Sequence, residues 1–421
     1  MDEGAAVPTP GDIAHLDCRA PSRWLAVARS PCVARRALPL TPLGGDWRFP
    51  ARPLGAGRRT PGAVGETAVR AGSRSGSASL HRSRLMATLP RVLVLAQGNH
   101  FETIFPERVR SELESFAQAV YNDLGRDMTE AELRERVGDM DACITTWGSP
   151  KFTADVVAAA PRLKIIAHAA GSVKPVVSDA VFARGIVVTS AAGVIARYVG
   201  EMALLFTLAA LRQLLRYDAA LKQERVWRVT GVPEPDTLLD QRVGLIGFGR
   251  TGREFARLLR PFDVELLIYD PHIGDAVGRE YGARLVSLEE VLTTCRVISL
   301  HAASLPGTRN LLDATRLAMI PDGVAFINTA RGALVDMAAL VEELKKGRFT
   351  AALDVFDPEE PLPADHPLRD LPNVILTPHV AGPVRTRYWE MGRYAVDTVR
   401  RVLAGETVPD AVTAEQLATI A

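Results

Sequence analysis

Arg331, Glu360 and His379 are a cation, a carboxylate and an imidazole, and each follows a short apolar run: Phe326-Ile327-Asn328, Leu353-Asp354-Val355 and Ile375-Leu376-Thr377-Pro378. An arginine fork grips a carboxylate through two parallel hydrogen bonds. A histidine exchanges a proton near neutral pH, and a neighbouring carboxylate orients it and favours its charged form. The set suits proton exchange at an oxygen beside a bound carboxylate. Taken singly, each has a structural reading: Arg331 as a strand cap, Glu359 with Glu360 as a solvated pair, His379 as a turn residue. Their shared position after consecutive late strands is what joins them, because ligands of open α/β sheets bind outside the carboxyl ends of strands.

Such a proton step needs a partner for the hydride, and the chain carries one candidate. Gly247-Phe248-Gly249-Arg250-Thr251-Gly252 lies past the midpoint, with an apolar run at 243–246 before it. A helix at 253–259, ending at Pro261, leads out, and a strand at 265–269 delivers Asp270, 18 residues beyond Gly252. Two glycines for a tight turn and close backbone approach, a third for helix packing, and an acid for the ribose hydroxyls are the requirements for binding a dinucleotide. The helix N-terminus supplies the pyrophosphate site. Asp270 would repel a 2′-phosphate, and Pro271 stands where an arginine would be needed to hold one. NAD is therefore expected rather than NADP.

The elements that must position these residues alternate. Strands are expected at 92–96, 142–145, 163–168 and 186–189, with helices around 107–120, from Thr153, and near 176–184. A long apolar helix at 198–217 leads into the fingerprint. Beyond it, a capping box opens at Ser287-Leu288-Glu289-Glu290. Strands at 297–301, 325–328, 351–355 and 374–376 bring the second set to six, and a helix at 385–403 closes the chain. Short apolar strands alternating with amphipathic helices mean parallel sheets. The expected fold is two doubly wound α/β domains: a substrate domain from 89–195 and 383–421, and an inserted nucleotide domain at 196–382.

Residues 1–85 differ from the rest. Thirteen arginines against six acids and no lysine give them a formal charge of +7, leaving the body at −6 within a total of +1. A mildly acidic body carries no electrostatic footprint for nucleic acid. The leader is rich in Pro, Gly, Ser and Ala without periodicity, which reads as disorder; Asp2, Glu3, Asp12 and Asp17 oppose a transit peptide, and Met86 is an alternative start. No apolar stretch is expected to reach the ~20 residues of a membrane span. Cys18 and Cys32 fall in the leader, Cys143 and Cys295 near core strands, and none has metal-ligand spacing. A cytoplasmic protein with reduced thiols and no metal is expected.

From about Arg91 onward the chain resembles the D-isomer-specific 2-hydroxyacid dehydrogenases, a family that includes phosphoglycerate dehydrogenases, glyoxylate and hydroxypyruvate reductases and D-lactate dehydrogenases. The resemblance rests on the segment from Val243 to Gly249, on Ser299-Leu300-His301-Ala302, on the run from Ile327 to Asp336, on Ala352-Leu353-Asp354-Val355-Phe356, and on Thr377-Pro378-His379-Val380-Ala381-Gly382. It implies Arg331, Glu360 and His379 as the catalytic set. Beside the glycines Gly247, Gly249 and Gly252 it implies NAD contacts at Arg250, Thr251, Asp270, His301, Thr329, Ala330 and Asp354. It also implies a homodimer formed largely by the nucleotide domains, and a flavodoxin-like first domain completed by the C-terminal helix.

Two departures from the family pattern stand out. The loop Phe356-Asp357-Pro358-Glu359-Glu360 is one residue longer than usual, so counting from Asp354 selects Glu359 and counting back from Pro361 selects Glu360, which the Glu-Pro junction favours. Where most members have a Gly-Val-Gly turn, this chain has Ala169-Ala170-Gly171-Ser172-Val173-Lys174-Pro175. Amides of Ala170, Gly171 and Ser172 are expected to form a nest for the substrate carboxylate, while Lys174 reaches either a second acidic group or solvent. The expected reaction interconverts a small D-2-hydroxy acid and its 2-oxo acid, in the reductive direction on glyoxylate or hydroxypyruvate, since no regulatory domain follows the last helix. The competing expectation is an NAD(H)-sensing protein like the corepressors that share this fold.

Overall fold

Short apolar runs that a parallel sheet buries on both faces organise the computed structural model, which describes residues 89–420. These belong to one unit, Ser73–Ala421. The expectations for residues 1–85, for Met86 and for Cys18 and Cys32 fall outside the described residues. Strands β1 (Arg91–Val94), β2 (Gln118–Tyr121), β3 (Ala142–Thr145), β4 (Ile165–His168) and β5 (Val187–Ser190) form one parallel sheet in the order β2-β1-β3-β4-β5. Strands β6 (Arg242–Ile246), β7 (Glu265–Tyr269), β8 (Ala283–Leu285), β9 (Val297–Leu300), β10 (Ala325–Asn328), β11 (Thr350–Leu353) and β12 (Val374–Leu376) form a second, ordered β12-β11-β10-β9-β6-β7-β8. The order reverses at the β6–β9 junction, beside the glycine turn, which is where such sheets open a crevice.

The architecture is the expected pair of α/β domains, with corrections in detail. The helix expected to run through Val120 stops at Glu114, and Gln118–Tyr121 becomes an edge strand. It escaped the sequence reading because it pairs only with β1 and stays half exposed, so it lacks an apolar run. The second sheet has seven strands rather than six: β8 is three residues long and follows Gly282, whose φ of +69° turns the chain into it. The helix after the fingerprint starts at Arg250, and the last long helix spans Trp389–Leu403 after a single 3-10 turn.

The helix expected at 198–217 spans Ala192–Leu211, and it corrects the expectation that no apolar stretch approaches a membrane span: it has 20 residues and a mean hydropathy of 1.6. Among its buried positions, Ala196, Gly200, Ala203, Thr207 and Ala210 recur every three to four residues, with Phe206 and Leu211 beside them. That face packs on the helix Arg250–Leu259 and on β10 and β11. Val194 and Ile195, in its first turn, pack instead into the first domain's core. The helix Trp389–Leu403 returns to that same core, where Met391, Ala395, Val396 and Val399 lie with Val92, Ile144 and Ile165.

Candidate active site

Three neighbouring strands end in register, with Asn328 opposite Leu353 and Leu353 opposite Leu376. Each chain then runs past the sheet edge carrying one of the expected groups. After β10, the Asn328 side chain holds the turn: its Oδ1 accepts from Ala330 N at 3.0 Å and its Nδ2 donates to the Arg331 carbonyl at 3.0 Å. The Arg331 side chain is exposed and donates to the Ala330 carbonyl at 2.6 Å. The next residue, Gly332, lies so close to the β11 loop that a Cβ there would sit 2.1 Å from the Phe356 carbonyl carbon. Only glycine lets the two loops meet.

After β11 and β12, Glu360 and His379 pair. Glu360 Oε2 stands 2.6 Å from His379 Nδ1, while Oε1 accepts from Phe356 N at 2.8 Å. Of the two glutamates weighed, Glu360 is the one in contact. His379 has a φ of +54°, a left-handed conformation uncommon for a side chain of this size. Its backbone is held there from below: His379 N donates to the Asp354 carbonyl at 2.9 Å. The Asp354 carboxylate accepts from Val380 N and Ala381 N at 2.8 Å each and from the Thr377 hydroxyl. Asp354, expected among the NAD contacts, is thus 0% exposed with its carboxylate engaged by the His379 loop. His379 Nε2 has no partner among the described residues, and a pocket of about 440 Å³ opens beside the pair, lined also by Leu362, Leu376 and Pro378.

The fingerprint edge fits a dinucleotide. Gly247, at φ +92°, approaches Ala302 so closely that a Cβ would lie 2.4 Å from its nitrogen, whereas a Cβ on Gly249 would meet nothing within 4 Å. The tight turn is therefore full behind and open in front, where the amides that begin the helix Arg250–Leu259 offer an anion site. Thr329 Oγ1 and His301 Nδ1 are buried without partners at the ends of β10 and β9, as groups awaiting a ligand would be. Asp270 accepts from Phe248 N at 2.7 Å and His272 N at 2.8 Å, which leaves lone pairs on both oxygens. Arg250 reaches across to the Asp410 carbonyl. His301 itself is buried against Phe255, its Nε2 beside Ser299 Oγ at 2.9 Å, and burial pushes it down to about 3, so the ring is neutral.

In the first domain, no acceptor among the described residues takes the N–H of Ala170, Gly171 or Ser172, although Ala170 is buried. The carbonyl side of this loop is fixed, since Ser190 Oγ donates to the Gly171 carbonyl at 2.5 Å. Beneath it His168 pairs with Thr145 Oγ1 at 2.9 Å; burial pushes it down to about 4, opposed by a hydrogen bond to the Ser172 backbone. Three amides without acceptors on a pinned loop are donors of the kind that anion-binding nests use. Lys174 is half-buried and makes no ion pair among the described residues.

Comparison with known proteins decides what this site belongs to. The chain is 30% identical over 333 residues to a glyoxylate reductase of Korarchaeum cryptofilum, spanning 77% of this chain and 96% of that one. It belongs to the D-isomer-specific 2-hydroxyacid dehydrogenase family. Residues 204–381 match the family's model of the D-isomer specific 2-hydroxyacid dehydrogenase, NAD binding domain. The cofactor of this family member is accordingly NAD. A D-3-phosphoglycerate dehydrogenase of Mycobacterium tuberculosis is 38% identical over 260 residues, covering 62% of this chain and 48% of that protein. The chain thus spans about half the length of the phosphoglycerate dehydrogenases it matches. The solved structure of a phosphoglycerate oxidoreductase from Rhizobium etli superimposes with a TM-score of 0.66 at 28% identity, covering 77% of this chain and 98% of that one.

Proposed function

We propose that this family member reduces a 2-oxo acid to its D-2-hydroxy acid with NADH, and that the 2.6 Å contact between His379 and Glu360 is the observation that carries the reading. When bound, NADH supplies the hydride that C2 of the substrate takes up. The pyrophosphate would be held by the amides at Gly249, Arg250 and Thr251, and the adenosine ribose by Asp270. Arg331 and the free amides of Ala170 to Ser172 would hold the substrate carboxylate. His379 gives a proton from Nε2 to the C2 oxygen, so that hydride and proton together complete the hydroxy acid. Glu360 fixes the ring through Nδ1 and balances its charge.

We also infer a homodimer. Leu205, Leu214, Leu215, Leu221 and Leu239 are each about half exposed, and Trp227 is 86% exposed, all on the segment joining the two domains. Exposed large apolar side chains gathered on one stretch of chain support an interface there. Among the described residues Cys143 and Cys295 are free and buried, and burial pushes their thiols up, which supports the cytoplasmic setting we propose.

The test is NADH oxidation with a panel of 2-oxo acids, alongside NADH affinity and light-scattering mass. Saturable turnover that His379→Ala abolishes, with NADH affinity within a few fold, is expected. Tight NADH binding without turnover on any acid would make the protein a nucleotide sensor instead, and a monomeric mass would remove the dimer.

A further inference from the structure

A second group of side chains stands at the carboxyl edge of the first sheet. His100 lies on the helix Gly98–Ile104 that follows β1, Trp147 lies just beyond β3, and Tyr388 precedes the helix Trp389–Leu403. Their rings converge, with centroids 5.6 Å apart for His100 and Trp147, 5.9 Å for Trp147 and Tyr388, and 6.2 Å for His100 and Tyr388. Strands β1, β3 and β4 are neighbours, so this cluster and the Ala170–Ser172 amides share one edge. Tyr388 is nine residues past His379, and the chain between them exposes Val380 and Val384, 51% and 57% accessible.

Trp147 is 43% exposed, and the indole N–H, the imidazole and the phenol of the three rings have no hydrogen-bond partner among the described residues. Core aromatic clusters are closed and their polar edges satisfied. This one is open, with ring faces in the middle and free donors at the rim. Beside it, Asp127 packs on Gly148, where a side chain would collide with its carboxylate, and accepts from Gln97 Nε2 at 3.2 Å. Ring faces take the C–H face of a carbohydrate, while ring edges, an amide and a carboxylate take its hydroxyls. A carboxylate at that rim also repels a phosphate.

We propose that Trp147, His100 and Tyr388 bind the far end of the substrate, and that this end is an uncharged polyhydroxylated chain: the substrate is a 2-oxo sugar acid. The inference rests on the dehydrogenase reading above and names its substrate class. The carboxylate end sits at the amide nest and Arg331, and the polyol extends along Val380 and Val384 onto the rings.

The experiment compares glyoxylate, 2-oxogluconate, phenylpyruvate and 3-phosphohydroxypyruvate as substrates of the full chain with NADH, in the native protein and in Trp147→Ala and Trp147→Phe. The expected result is a kcat/KM for 2-oxogluconate at least about tenfold above glyoxylate. Trp147→Ala should reduce that preference about tenfold, and Trp147→Phe, which keeps a ring face, should retain most of it. Gluconate should also quench tryptophan fluorescence saturably in the native protein and less in Trp147→Ala. Preference for phenylpyruvate would mean an apolar side-chain pocket, and preference for 3-phosphohydroxypyruvate an anionic end held by the exposed Arg385; either overturns the proposal, as does equal loss on every acid. Turnover of glyoxylate without preference sinks this inference alone, whereas no turnover on any acid sinks the dehydrogenase reading with it.

Discussion

Asp354 and His379 are joined through the backbone and bracketed through the side chain: the Asp354 carbonyl accepts the His379 N–H, and its buried carboxylate accepts from Thr377, Val380 and Ala381 on either side. A left-handed residue between two clamped neighbours has one place to go. Asp354→Ala strips the acceptor from the part-buried Val380 amide and the buried Ala381 amide, and the buried one alone costs about 1–3 kcal/mol. A fall in melting temperature and a loss of at least about a hundredfold in kcat are expected. Retained kcat with lowered stability alone would mean that the carboxylate supports the fold without orienting His379.

Glu360→Gln tests the pair directly. Both partners are partly exposed, so its effect on stability should stay below about 1 kcal/mol. kcat should nonetheless fall by about tenfold or more, because amide for carboxylate removes the counter-charge while keeping the shape. Glu359→Gln, at the neighbouring exposed position, should leave both measurements unchanged. Reversed results would transfer the role to Glu359.

Gly332→Ala introduces a methyl group where only 2.1 Å separates the Cβ position from the Phe356 backbone. The loops carrying Arg331 and Glu360 must then separate, and kcat/KM should fall by about a hundredfold or more. Rescue by no other substitution at this position is expected, since every side chain begins with the same atom. A Gly332→Ala enzyme with native kcat/KM would show that the close approach is incidental.

Asp270→Arg should weaken NADH binding and shift the preference toward NADPH, since it replaces a ribose acceptor with a phosphate donor. Asp270 also holds Phe248 N, so some loss of NADH affinity will come from the turn itself. The ratio of the two dissociation constants, measured by fluorescence, separates these effects. An unchanged ratio would remove Asp270 from the ribose site.

Stability should decline in acid, and the sign follows from two buried imidazoles. Burial pushes His168 down to about 4 and His301 down to about 3, whereas unfolded histidine titrates near ~6.5. Between those values the unfolded chain binds protons that the folded chain refuses, so stability is full above pH ~6.5 and falls as pH drops toward the folded values. The loss at pH 5 is on the order of 2 kcal/mol per histidine. Denaturant midpoints at neutral pH and at pH 5 measure it, and His168→Gln should show a shallower dependence than the native chain. A midpoint that does not move would contradict the buried, neutral state.

Much of the fold is legible in the sequence, for a physical reason. Doubly buried strands must be apolar runs, so Val243 to Ile246 and Ala325 to Asn328 announce themselves, whereas β2 and β8, which lie at sheet edges, do not. The glycine turn and the strand-end residues Arg331 and His379 were visible because their chemistry ties them to fixed spacings. The choice between Glu359 and Glu360 needed the path of the loop, and the hydrogen bonds by which Asp354 holds the His379 loop were likewise not visible in the sequence. The aromatic cluster was invisible, since His100, Trp147 and Tyr388 are brought together only by neighbouring strands and a returning helix.

The helix Ala192–Leu211 has its first turn in one core and its body in the other. A rod gripped at both ends works as a lever: it transmits rotation and does not absorb it. Any change in angle between the two sheets must therefore be taken up where the chain crosses back without regular structure, at Ala381 to Val384. That segment joins His379 to Tyr388, so any strain placed on the return crossing reaches the His379–Glu360 pair at one end and the aromatic cluster at the other.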